Sequence, residues 1–129
     1  MYKIEKKDFG FKLTFAGEVG EKELLEWVEK SKVQLENYQN EFGVYVDLTN
    51  LKPIQSSDIN HFRTGQQLYK DKGMVRSAVI LKGAITTLQF REIARKSEIF
   101  EGERYIDAEK YPDWENIAVK WVKDGVEPY

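Results

Sequence analysis

Along this chain the spacing of apolar residues switches repeatedly between every second position and every third or fourth. That switching is the strongest constraint on the fold. Tyr2 and Ile4 alternate with charged residues, and beyond the turn Lys7-Asp8-Phe9-Gly10, Phe11, Leu13 and Phe15 alternate with Lys12 and Thr14. These two runs predict an antiparallel hairpin with one buried face. Gly17 and Gly20 break the pattern. Leu24, Val28, Leu35 and Tyr38 then recur at helical spacing up to Asn40 and Gly43. Val44, Val46 and Leu48 return to alternation in a strand over Val44–Leu48, followed by a turn containing Pro53 and the pair Ser56-Ser57.

A second helix opens near Ile59, carries Phe62, Gln66 and Tyr69, and closes at Lys72-Gly73. Ser57 fits its N-cap, and Asp58 sits where a carboxylate favours the helix dipole. Ala78–Leu81 is a continuous apolar run, as expected of a strand covered on both faces. A third helix is predicted over Ile85–Ser97 with Leu88, Ile93 and Ala94 inward. A short strand follows over Glu103–Asp107. A last helix begins after Pro112 and bears Trp114, Ile117, Ala118, Trp121 and Val122. The order ββαβαβαβα implies an α/β fold: a mostly parallel sheet with an N-terminal antiparallel hairpin and helices packed on it. With 129 residues the whole chain reads as a single domain, and residues 124–129 are expected to fray.

Composition narrows the function classes. Net charge is −2 with cations scattered, so no basic stripe suits nucleic acid. The absence of cysteine removes disulfides, thiolate zinc sites and a cysteine nucleophile. No segment approaches the ~18 apolar residues of a membrane span. Met1-Tyr2-Lys3-Ile4-Glu5 lacks a signal-peptide core, so a cytoplasmic location is expected. Neither a P-loop nor a dinucleotide fingerprint is present.

The segment Val46-Asp47-Leu48-Thr49-Asn50-Leu51, continuing as Ile54-Gln55-Ser56-Ser57-Asp58-Ile59, resembles the signature of STAS domains, the family of sulfate-transporter and anti-sigma-factor-antagonist domains. Leu13-Thr14-Phe15-Ala16-Gly17-Glu18-Val19 is similar to that family's second strand and Gly-Glu turn. Ile106-Asp107-Ala108 with the Trp-rich last helix resembles its SpoIIAA-like branch of bacterial proteins. The resemblance implies a STAS/SpoIIAA-like fold and a non-enzymatic regulatory protein-interaction module. In the anti-sigma-factor antagonists the first serine of the pair accepts phosphate from a kinase, which implies Ser56 here, with Ser57 beside it. Gln55 stands where the family has aspartate, and Asp58 where it has glycine.

From the residues alone, a turn and an N-cap are the plainer account of Ser56 and Ser57. Asp47 and Thr49 end a central strand, where α/β sheets place ligands; Asp47 also suits an Asx-type turn. Asp47, Thr49, Gln55, Asp58, His61, Arg63 and Tyr69 make the expected interaction surface, offered to a protein partner or a second copy of the chain. His61 is the only histidine, and no metal, cofactor or catalytic residue is expected; a hydrolase would need Ser56 and His61 within hydrogen-bond reach. Arg63, Arg76, Arg91, Arg95 and Arg104 form an anion site only if the fold gathers them. Pairing of Arg91 and Arg95 with Glu92 and Glu98 is the plainer account. Trp114, Trp121, Phe90, Phe100, Tyr105 and Tyr111 are expected to be mostly core, and an alternative function is a carrier of a small apolar molecule or lipid, similar to Sec14-type domains, with the supply of aromatics lining an apolar pocket.

Overall fold

The computed structural model describes residues 1–96 and 101–129, with residues 93–96 described by backbone alone. The elements are β1 (Tyr2–Lys7), β2 (Gly10–Phe15), α1 (Glu21–Leu35), β3 (Phe42–Asp47), α2 (Ile59–Asp71), β4 (Met74–Leu81), α3 (Ala84–Lys96), β5 (Glu103–Asp107) and α4 (Trp114–Asp124). A single 3₁₀ turn over Ser56–Asp58 leads into α2. The order ββαβαβαβα is the predicted one, and no described helix is long and apolar enough to cross a membrane.

The strands form one sheet in the order β1-β2-β3-β4-β5, with β1 antiparallel to β2 and the remaining neighbours parallel. Because β2 to β5 follow one another across the sheet, crossovers of one hand must put α1, α2 and α3 on the same face. Strand period does the rest. Phe11, Leu13, Phe15, Val44, Val79 and Leu81 point to that face and pack with Leu24, Trp27, Phe62, Tyr69 and Phe90 from the helices. Tyr45, Ala78, Ile80 and Ile106 point to the other, where Ala118, Trp121 and Val122 of α4 cover them. Glu115 of α4 accepts from both Lys12 (2.8 Å) and Tyr45 (2.9 Å), joining the helix to that face. The Ala78–Leu81 run is therefore covered on both faces, as its composition predicts.

Several local expectations are corrected. Helix α1 ends at Leu35; Tyr38 lies beyond it and packs on Phe11 and Phe42. Gly43 sits inside β3 rather than closing a helix, because a Cβ there would lie 2.5 Å from the Val122 carbonyl oxygen of α4. In α3, Leu88 is exposed while Thr86 and Phe90 are buried; the other expected inward residues, Ile93 and Ala94, are among those described by backbone alone. Apart from these corrections, the tail makes contacts with β5 and with the segment before α4. Glu127 takes two hydrogen bonds from Arg104 at 2.8 and 2.9 Å, and Tyr129 stacks on Tyr111.

Candidate functional site

Strand β3 ends at Asp47, whose carboxylate accepts the Thr49 N–H at 3.0 Å and the Thr49 hydroxyl at 2.6 Å. This is the Asx-type turn anticipated for Asp47, and it engages both residues locally. The chain then alternates its exposure: Leu51 and Ile54 are buried, while Lys52, Pro53, Gln55, Ser56 and Ser57 are exposed. Gln89 of α3 holds the backbone of Ile54 through its N–H (2.9 Å) and C=O (2.7 Å). The loop is thus anchored at its apolar positions and open at its serines.

Neither serine caps α2. The N-cap is Asp58, and no side-chain capping bond is formed there. The reason is the 3₁₀ turn: Asp58 N–H bonds to the Gln55 carbonyl at 2.9 Å, moving the N-cap one residue past Ser57. Two members of the expected surface are interior. Tyr69 is 2% exposed and its hydroxyl meets Ser31 Oγ at 2.7 Å; Asp58 is 6% exposed. His61 and Arg63 are half-buried, with His61 lying beside Asp58 and Glu21 of α1.

Among the described side chains, the arginines are not gathered into one anion site. Arg76 donates to the last carbonyls of α4 at Val122 and Lys123, and Arg104 stacks over Trp121 at 4.2 Å while binding Glu127. Arg63 stands on α2, across the sheet from both. Arg91 is exposed on α3, and the Arg95 side chain, Glu98 and Phe100 lie outside what is described.

Beneath α2 the helices leave a cavity against the sheet, about 70 Å³ of space open to the centre of a water-sized sphere. Its walls are mainly apolar, among them Phe15, Trp27, Val79, Phe90 and Tyr105. Three polar groups join them. Ser77 and Glu103 are register partners on β4 and β5, and Gln66 of α2 donates to Glu103 Oε1 at 2.7 Å. Burial pushes the Glu103 carboxyl up to about 7, with the Gln66 bond opposing the shift. Ser77 Oγ is buried without a hydrogen-bond partner among the described residues. Burial also raises the Tyr105 phenol.

Sequence reasoning offered an apolar pocket lined by aromatics without naming which ones, and missed Gln66, Ser77 and Glu103 as its polar members. Strand period held the signal: Ser77 is two residues before Val79, and Glu103 two before Tyr105, so each faces the same side as an apolar neighbour.

No protein-family model matches the chain, and no curated protein matches it. A solved structure does: the crystal structure of an uncharacterized protein from the DUF3478 family with a SpoIIAA-like fold, from Shewanella loihica PV-4. The two share 15% identity with a TM-score of 0.54, over 88% of this chain and 91% of that one. At this identity the likeness speaks to fold, and it agrees with the sheet order and helix placement above. The chain has a SpoIIAA-like fold.

Proposed function

We propose that the protein acts by binding a small, mostly apolar molecule with one polar end, held between the sheet and α1 to α3. The cavity is the observation that supports this reading. Its roughly 70 Å³ is several times the ~10–15 Å³ that one water needs in this measure. Apolar walls supply affinity in proportion to the area they remove from water, and the few polar groups orient the ligand. Ser77 Oγ, lacking a partner, and the Glu103–Gln66 pair stand together as the polar end.

The test is an NMR titration of the full chain with hexan-1-ol, indole and hexanoic acid, beside a native mass spectrum of the freshly purified protein. Amide shifts confined to β4, β5 and α2, abolished by the cavity-filling substitution Val79→Phe, are expected. Shifts that persist in V79F, or no shift with any of the three, overturn the reading.

A second reading, a regulatory protein-interaction module switched by phosphate at Ser56, is favoured by one observation. Both serines are exposed on a loop held in place by Gln89. A phosphate would add about −1.5 to −2 charges at the α2 entrance, among Gln55, His61 and Arg63. Mass spectrometry of the chain from its native cells would carry phosphoserine at position 56. Unmodified Ser56 and Ser57 under all growth conditions would count against this switch.

A further inference from the structure

We infer that Glu21, Asp58 and His61 form a binding site for a divalent transition-metal ion of the zinc type. One ligand atom from each residue lies within 4.8 Å of the other two. Bonds of about 2.0–2.2 Å place the ligands of tetrahedral zinc about 3.4 Å apart. Rotation of the exposed Glu21 and the half-buried His61 closes that difference while the buried Asp58 stays fixed.

The state of Asp58 supplies the second, independent observation. It is 6% exposed, yet its carboxylate has no hydrogen bond or ion pair among the described residues, and it does not cap the helix whose N-cap it occupies. The residue is enclosed while its carboxylate keeps contact with solvent, and a carboxylate so placed and without a protein partner is available to a cation. Within this cluster Asp58 faces a second carboxylate and an imidazole. The N-termini of α1 and α2 both adjoin the cluster, each worth roughly half a positive charge, and together they offset only about one of the two carboxylate charges. A dication is therefore still attracted.

The donor set selects the ion. An imidazole nitrogen favours zinc, nickel or cobalt over magnesium and calcium, which prefer oxygen alone. Three protein ligands leave a fourth position for solvent.

The experiment uses the full chain, treated with EDTA, dialysed and titrated with zinc chloride, nickel chloride and magnesium chloride by calorimetry. Long-range ¹H–¹⁵N spectra are recorded alongside, because the single histidine gives one unambiguous imidazole signal. One zinc per chain is expected, with a shifted His61 imidazole and no response to magnesium. D58N and H61A should each weaken zinc binding at least about tenfold. E21Q, at an exposed position, should weaken it severalfold with an unchanged melt of the metal-free protein, so the test survives if D58N fails to fold. No zinc binding at ~100 μM, far weaker than protein sites built for the ion, overturns the site. So does binding that E21Q and H61A leave intact, or zinc binding without a His61 shift.

Discussion

The side-chain amide of Gln89 satisfies both backbone polar groups of Ile54, accepting its N–H at 2.9 Å and donating to its C=O at 2.7 Å. A helix side chain here does what a neighbouring strand would do. It fixes a loop that has left the sheet after Asp47, and fixes it just before the exposed serines. The Thr86 hydroxyl reaches the Leu51 carbonyl at 3.4 Å from the same helix, so α3 clasps the loop at two points.

Gln89→Ala should therefore loosen the loop without melting the sheet. Two partly buried hydrogen bonds contribute about 1–3 kcal/mol together. Amide exchange at Ile54 should quicken strongly while that of Val44 and Ile80 slows or quickens only with global stability. Equal protection of Ile54 in the variant and the parent would show that burial of its side chain, and not Gln89, holds the loop.

Glu103 should make stability fall as pH rises. Its carboxyl is shifted from an ordinary 4.5 to about 7 by burial. Between those values the folded chain keeps a proton that the unfolded chain has released, so the contribution is full below 4.5 and lost on the way to 7. At ~1.4 kcal/mol per unit the total is about 3–4 kcal/mol. Glu103→Gln, which still accepts from Gln66, should flatten that part of the profile and melt higher than the parent at pH 8. Denaturant melts from pH 4 to 8 check this; parallel profiles for the two proteins would refute it.

The element order was legible because most strands and helices carry their own period, and β5 spans Glu103–Asp107 as expected. What the residues concealed follows from two physical facts. Polar tips disguise burial: Tyr69 lies two turns from Phe62 on one face of α2, and its hydroxyl is satisfied inside by Ser31. Apolar residues all round a helix hide its phase, as in α3, where Leu88 faces solvent and Phe90 the core. The cavity and the Glu21–Asp58–His61 cluster are tertiary. Each joins residues from elements that only the sheet order brings together, and no local spacing announces them.

Ser77→Ala should leave stability unchanged or raise it by up to about 1 kcal/mol, because it removes a buried hydroxyl without a partner. If the hydroxyl is kept for a ligand, the same variant should bind hexan-1-ol more weakly than the parent. Thermal melts and the NMR titration read the two effects separately. A clear loss of stability in S77A would mean that Oγ has a partner in solution.

Gly65→Ala sets two terms against each other. Inside a helix alanine is favoured over glycine by about 1 kcal/mol, so propensity alone predicts a gain. Packing predicts the opposite: a Cβ on Gly65 would fall 2.1 Å from Cη2 and 2.2 Å from Cζ3 of Trp27. The Trp27 ring has little freedom to retreat, being 3% exposed and in contact with Phe15 edge-on at 4.9 Å and with Tyr69 stacked at 6.1 Å. Overpacking of this kind costs about 1–3 kcal/mol, enough to outweigh the propensity gain over most of that range. The variant should melt below the parent, with altered Trp27 fluorescence marking the separation of α1 from α2. A melt at or above that of the parent would mean that the two helices slide apart freely, and that their close approach at Gly65 is not what holds this face of the sheet covered.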